Sequence, residues 1–406
     1  MKRRRLTAHL LSLLPNPRWP LGKCARNPLP GRLSRDGAGD GRGPPRHLGH
    51  GHDWSSLLTE HYVRPDVQAF LDFLNALPGP RSHEAGLEEA RAMLVKSRHV
   101  ADAEVGELAL IRDLSCPGPA GQIRLRLYDR RAERGPGPLL IFFHGGGFVL
   151  GDLDTHEPFC AALARQLDLP VLAVDYRLAP ECPFPAGVED CIAAARWAAS
   201  SPEALGRQVT GLVPCGDSAG GNFAIVVSLA LRDEPAAVPV LAQWPIYPAA
   251  DPAKHYPSYY EFGEGHLLTR DGMDWFDQCY APAQDDWRYS PLLKDQAGMP
   301  PTLVLTAGLD PLRDQGRAYA AALVEAGVTT VYREAEGNIH GFISLRKAIP
   351  SSEEDIRAAV EALKLLIEEA EARSKPAVTP DLIRGPPSLH RAGGRWMPDQ
   401  VRHDEG

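Results

Sequence analysis

The segment Gly216-Asp217-Ser218-Ala219-Gly220 sits where an apolar strand must turn directly into a helix, and few architectures can hold such a turn. Before it, Gly211-Leu212-Val213-Pro214-Cys215 is apolar; after it, residues 222–231 read as an apolar helix face. Glycines at 216 and 220 suit a strained strand-to-helix turn, because a bulky side chain at either place would collide with the opposite arm. Such a turn lifts one serine hydroxyl to the edge of the sheet. Taken alone the pattern is weak, since a chain with 38 glycines can produce it in a loop, where Ser218 would be an ordinary helix N-cap.

A second element upstream weakens that bland reading. Leu139-Leu140-Ile141-Phe142-Phe143-His144-Gly145-Gly146-Gly147-Phe148 runs an apolar strand into three glycines, which let backbone N–H groups point at a developing negative charge. In the C-terminal third, Pro301-Thr302-Leu303-Val304-Leu305-Thr306-Ala307-Gly308 reads as a buried strand, and Asp310 lies just past its end, where an α/β sheet presents functional side chains. Residues 329–334 read as another strand, followed by the loop Gly337-Asn338-Ile339-His340-Gly341-Phe342. The order Ser218, Asp310, His340 is the one expected of an α/β-hydrolase and differs from the two other common serine-hydrolase orders.

Acid–base chemistry assigns the roles. A serine hydroxyl is a poor nucleophile at neutral pH, so His340 is expected to take its proton and later give it to the leaving group. Asp310 is expected to hold the imidazole in the right tautomer and stabilise the imidazolium. The backbone N–H of Ala219, with those of Gly145, Gly146 and Gly147, is expected to receive the oxyanion, each donor being worth roughly 3 kcal/mol of barrier.

With these residues in place, the chain resembles the hormone-sensitive-lipase-like group of α/β-hydrolase carboxylesterases. The resemblance covers roughly residues 60–370 and rests on His144-Gly145-Gly146-Gly147-Phe148, Asp154-Thr155-His156, Asp175-Tyr176-Arg177-Leu178-Ala179-Pro180-Glu181, Phe184-Pro185-Ala186, Asp310-Pro311-Leu312-Arg313-Asp314 and Ile339-His340-Gly341-Phe342. It implies hydrolysis of short- to medium-chain acyl esters with no metal and no organic cofactor. Two positions depart from the family pattern: Gln315 stands where an acidic residue usually follows Asp314, and Asn338 stands where Met or Gln usually precedes Ile339. Neither is expected to perform chemistry; both bear on how firmly the loops carrying Asp310 and His340 are supported.

Other histidines and acids have simpler readings. His144 belongs to the glycine element and reads as a brace for that loop, and His156 as a helix-start residue packed behind the site. His255 and His266 lie in loop-like sequence, where a solvated imidazole is the default, and Asp217 is expected to point away from the nucleophile beside it. Asp314, one helical turn beyond Asp310, is the alternative acid.

With 406 residues, 44% of them hydrophobic, the chain can bury a full core, and one α/β domain of about 250 to 300 residues with appendages is the natural size. A net charge of −8 gives no pull toward nucleic acid or anionic lipid. The seven cysteines form no Cys-x-x-Cys pair and lie in apolar surroundings, so they read as buried thiols of a cytoplasmic protein, not a disulfide framework or a zinc site. No window is long and apolar enough to span a membrane.

The ends differ from this average. Residues 1–50 carry eleven Lys or Arg against two Asp or Glu, and the arm is rich in Pro, Gly and Arg, so residues 1–53 are expected to be a disordered basic extension. Its opening, Met1-Lys2-Arg3-Arg4-Arg5 before an apolar run, also admits an export signal, although the run holds His9, stops at Pro15 and lacks a small-residue cleavage pattern. The tail 374–406 repeats Pro380-Asp381-Leu382-Ile383-Arg384 as Pro398-Asp399-Gln400-Val401-Arg402 and reads as low-complexity sequence.

Between them the chain alternates. Segments 107–113 and 122–129 are predicted as an antiparallel pair, and strands near Leu139, Val171, Leu212, Val238, Thr302 and Thr329 alternate with helices at 157–167, 187–199, 222–232, 314–326 and 352–372. The predicted fold is an α/β-hydrolase: an eight-stranded, mostly parallel sheet with helices on both faces, spanning 54–373. Segments 54–98 and 250–290 fall outside the alternation and are expected to form a helical cap, the second one rich in Trp, Tyr and Phe. By resemblance the acyl and alcohol pockets lie beneath it, and an aromatic lining favours compact esters.

The expected function is a serine carboxylesterase acting on a small-molecule acyl or aryl ester through a covalent acyl-enzyme. An amidase or deacetylase using the same triad is the second reading. A non-catalytic receptor on the same fold is the third, and the intact His340 argues against it. A homodimer is among the expected assemblies.

Overall fold

The computed structural model describes residues 61–374. The expectations for residues 1–53 and for the tail beyond 374 lie outside it, as do residues 54–60 of the first cap segment.

Eight strands form one sheet: β1 (Leu110–Gly118), β2 (Gly121–Asp129), β3 (Gly137–Phe143), β4 (Val171–Asp175), β5 (Val209–Asp217), β6 (Trp244–Ile246), β7 (Thr302–Leu309) and β8 (Thr330–Ile339). Their order is β1-β2-β4-β3-β5-β6-β7-β8. β2 runs antiparallel to both β1 and β4, and every other neighbouring pair is parallel. The α/β-hydrolase sheet predicted from sequence is therefore the sheet observed.

Why the central strands are apolar without alternation follows from their position. β5 and β7 are buried almost throughout, and in β3 Leu139, Ile141 and Phe143 join the core on one face while Leu140 and Phe142 join the other. Three helices cover one face: α5 (Ala186–Ala199), α6 (Ala219–Asp233) and α9 (Arg313–Glu325). The opposite face carries α4 (Glu157–Leu167) and α10 (Ser352–Ser374), with Phe159, Leu163, Ile356 and Leu363 in its core.

Three strand boundaries differ from the sequence reading, one of them at β8, which runs on to Ile339 instead of ending at Glu334. β1 extends to Gly118 instead of ending at Asp113, because Pro117 lies on the edge strand, where its missing N–H breaks no ladder. The strand expected near Val238 is instead the three-residue β6 at 244–246, and Val240 makes only an isolated bridge to Leu212. Pro239 and Pro245 interrupt that apolar run, so hydrophobicity alone misplaced its paired part.

Two segments outside the sheet meet each other. The first holds α1 (Pro65–Asn75), α2 (Ser82–Ala85) and α3 (Leu87–Ala101); the second holds α7 (Pro257–Glu261) and α8 (Arg270–Tyr280). α2 packs on α8, Asn75 Nδ2 donates to the Gly265 carbonyl at 3.2 Å, and Arg81 pairs with Glu264. α1 buries Val67 and Leu71 against Ile339, Leu345 and Phe262. Among the described residues no helix is long and apolar enough to cross a membrane. The buried-thiol expectation holds for Cys116, Cys160, Cys191, Cys215 and Cys279 and fails at Cys182, which is disulfide-bonded.

Candidate active site

Ser218 stands between the last residue of β5 and the first of α6, at φ 57° and ψ −117°, a backbone region that side-chain-bearing residues seldom adopt. Its N–H donates to the Ile246 carbonyl at 2.9 Å and its carbonyl accepts from Asn222 and Ala249, so both sides of the turn are tied down. A Cβ at Gly216 would overlap the Gly220 carbonyl, as expected of opposite arms. One at Gly220 would instead overlap the carbonyl oxygens of Phe143 and His144, at the end of the neighbouring strand. The second glycine thus sets how closely the elbow approaches β3.

Two residues far from it in sequence converge on the elbow. His340 Nε2 lies 2.9 Å from Ser218 Oγ, and its Nδ1 lies 2.7 Å from Asp310 Oδ2. Asp310 is fully buried just beyond β7, and its other oxygen accepts the Leu312 N–H at 2.8 Å. A carboxylate only accepts, so Nδ1 carries the proton and Nε2 presents its lone pair to the serine hydroxyl. Tyr247 packs on the imidazole at 4.7 Å between ring centroids. The arrangement can draw a proton from Oγ as that oxygen attacks a carbonyl.

Asp314, the alternative acid, faces elsewhere: it accepts the Ser258 N–H at 3.0 Å and pairs with Arg313 and Arg317. The two departures from the family pattern have structural partners. Gln315 Oε1 accepts the Asp251 N–H, tying α9 to the chain beyond β6. Asn338 Nδ2 donates to Ser352 Oγ and Asp355 Oδ2, fastening the His340 loop to α10.

The glycine loop differs from expectation at one position. Gly145 N–H donates to Asp217 Oδ1 at 2.8 Å and points into the protein, so it is not available to an oxyanion. Gly146 (φ 121°) and Gly147 (φ 60°) are half-exposed, and among the described residues no group accepts their N–H bonds. Ala219 begins α6, where a helix leaves its first N–H groups free. These three N–H groups are therefore the donors left for an oxyanion at Ser218. The Phe276 ring of α8 lies where a Gly147 side chain would be, so α8 packs onto the loop.

Behind the loop lies a buried polar cluster. His144 Nδ1 is 2.8 Å from the Gly145 carbonyl oxygen, its ring stacks on Tyr176 at 4.3 Å, and Tyr176 O–H donates to the His144 carbonyl at 2.6 Å. Burial and the neighbouring His156 push His144 down to about 4, so it is neutral near pH 7 and braces the loop. Asp217 points away from Ser218 Oγ, as expected of its place in the turn, but it is not idle: it holds Gly145 and meets His156. Sequence reading found the His144 brace but missed these two contacts of Asp217. Tyr176 was visible only as part of a motif, because a phenol's partner is set by the fold. Among the described residues no group of His, Cys, Asp and Glu is arranged to hold a metal.

Comparison with known proteins agrees with this architecture. A family model described as the alpha/beta hydrolase fold matches residues 140–344. Carboxylic ester hydrolase LipN of Mycobacterium tuberculosis is 45% identical over 245 residues, covering 58% of this chain and 65% of LipN. Ethyl acetate hydrolase of Pseudomonas putida is 36% identical over 317 residues, covering 74% of this chain and 98% of that protein. Among solved structures, an α/β-hydrolase enzyme from the metagenome of Lake Arreo, Spain, matches with TM-score 0.70 and 37% identity over 77% of this chain and 99% of that one. With a relative matched over nearly its whole length and the family model spanning the sheet from β3 to the His340 loop, the chain belongs to the hormone-sensitive-lipase-like family of α/β-hydrolase carboxylic ester hydrolases.

Proposed function

We propose that this chain hydrolyses short- to medium-chain carboxylic esters through a covalent acyl-enzyme on Ser218. The observation that carries the reading is the continuous relay Ser218 Oγ, His340, Asp310, at 2.9 and 2.7 Å, on a serine held in strained backbone. Ser218 Oγ attacks the ester carbonyl as its proton passes to His340 Nε2. The imidazolium is stabilised by Asp310, and the tetrahedral oxyanion by the N–H groups of Gly146, Gly147 and Ala219. His340 then protonates the departing alcohol, and water, activated by the same nitrogen, attacks the acyl-enzyme and releases the acid.

Phe276 against Gly147 supports a compact space beside the oxyanion loop, beneath a cap built from the two meeting segments. Relatives named as ester hydrolases, one of them for ethyl acetate, support ester over amide substrates. The test is Ser218→Ala assayed on p-nitrophenyl acetate and butyrate. Turnover is expected to fall by about 10⁵-fold or more with unchanged circular dichroism, and undiminished turnover in purified mutant would remove the assignment.

A further inference from the structure

His156 is the residue at the start of α4, behind the glycine loop; its imidazole caps none of the helix N–H groups and takes no part in the relay at Ser218. It is buried, and its Nε2 lies 3.3 Å from Asp217 Oδ1, the same oxygen that accepts the Gly145 N–H at 2.8 Å. Its Nδ1 lies 3.0 Å from the Thr155 hydroxyl oxygen, and that hydroxyl is also 2.9 Å from the Asp152 carbonyl oxygen.

The neighbours of the ring favour its charged form. A carbonyl oxygen can only accept, so the single Thr155 hydroxyl proton goes to Asp152, and the Thr155 oxygen accepts from Nδ1–H. The Asp217 carboxylate likewise requires Nε2–H. A ring with a proton on each nitrogen, an imidazolium, serves both of these neighbours. Burial is the largest single influence and lowers its pKa, but the carboxylates of Asp217, Asp102 and Asp152 together raise it above the ordinary value. His144, stacked on it at 5.6 Å, is the neutral member of the pair. Nearby charges have other partners: Asp102 is held bidentately by Arg346, and Glu157 faces Arg98 and Arg126.

The ion pair has a consequence for the reaction. Asp217 adjoins Ser218, and a bare buried carboxylate there would repel the oxyanion that the loop is built to receive. We propose that His156 is a positioning residue for ester hydrolysis: its imidazolium neutralises Asp217, so that Asp217 can hold the Gly145 peptide without opposing the oxyanion. The inference rests on the functional reading of Ser218 given above.

The test compares wild type, His156→Gln, Asp217→Asn and the double variant on p-nitrophenyl butyrate, with competent sites counted by fluorophosphonate labelling. His156→Gln leaves Asp217 uncompensated and is expected to lower kcat per labelled site about tenfold or more, with KM within about twofold. Removing both charges is expected to recover kcat to within about threefold of wild type, because an Asn oxygen still accepts the Gly145 N–H. Losses that multiply in the double variant, or an unchanged His156→Gln, overturn the proposal. An independent readout is ¹⁵N-histidine NMR of the wild type at about pH 7.5, where exposed imidazoles are neutral. One ring is expected with both nitrogens protonated, and absence of any such ring overturns the proposal whether or not the variants fold. Full activity in Ser218→Ala would instead remove the underlying reading.

Discussion

At the scale of single residues, the site depends on which atoms are denied space as much as on which are present. Gly220 is the clearest case, because any Cβ there meets two backbone carbonyls of the neighbouring strand end, and neither can rotate away. Gly220→Ala is therefore expected to destabilise the protein by about 3 kcal/mol or more in urea unfolding and to abolish activity with it. Asp310 and Asp314 make the opposite comparison, two like residues with unlike partners. Asp310→Asn is expected to lower kcat by about 10⁴-fold, as loss of the tautomer-fixing carboxylate does in other triads. Asp314→Asn should stay within about tenfold of wild type. Comparable losses in the two variants, measured on the same ester, would contradict the assignment. The two aspartates were legible as candidates because both follow a buried strand, but their separation into site and support was not, since it depends on which one the helix start turns toward His340.

At the scale of elements, α8 and the β8–α10 junction support the site from outside the sheet. α8 lays Phe276 on the glycine loop, so Phe276→Ala should widen the space there. In a chain-length series of p-nitrophenyl esters the optimum is then expected to move to longer acyl chains, with kcat/KM on acetate falling; an unmoved optimum would show that the ring does not bound the acyl space. Asn338 links the His340 loop to Ser352 and Asp355 on α10. Asn338→Ala should cost about 1 to 2 kcal/mol of stability by urea unfolding, from lost hydrogen bonds in a buried place. The helices were largely readable from their apolar period: α4 begins and ends where the sequence placed it. β6 was not, because the proline-broken apolar stretch after Val238 carries no mark of which three residues pair, and the neighbouring strands decide that.

At the scale of the whole molecule, the segments before the sheet are anchored to its C-terminal half by buried charge. Asp102, at the end of α3, holds Arg346 bidentately at 2.7 and 3.0 Å, with both side chains almost fully buried. Asp102→Ala leaves that guanidinium uncompensated and is expected to destabilise by about 3 to 5 kcal/mol, read as a lowered urea midpoint. The paired histidines shape the response to pH. His144 has its folded pKa pushed down to about 4, so its contribution is complete above the unfolded value and is lost as pH falls toward 4. His156 has its folded pKa raised, so its contribution is complete below the unfolded value and is lost as pH rises through the folded one. Unfolding free energy should therefore be greatest near pH 6.5, the ordinary imidazole value. A steady rise in the urea midpoint from about pH 6 to 9 would contradict this account.

What the sequence determined by itself was the chemistry and its order along the chain: a serine between glycines at a strand end, three glycines after an earlier strand, and an acid and a histidine after later ones. Such features survive in one dimension because they arise from backbone geometry and from local hydrophobic pattern. Tertiary structure alone decided which polar groups were left over. Gly145 looked equivalent to Gly146 and Gly147 until the fold brought Asp217 against its N–H, and His156 looked like a helix start until the same carboxylate met its ring. The reason is physical: a buried hydrogen-bond donor or charge must find a partner, and in a folded chain that partner comes from whichever element packs beside it.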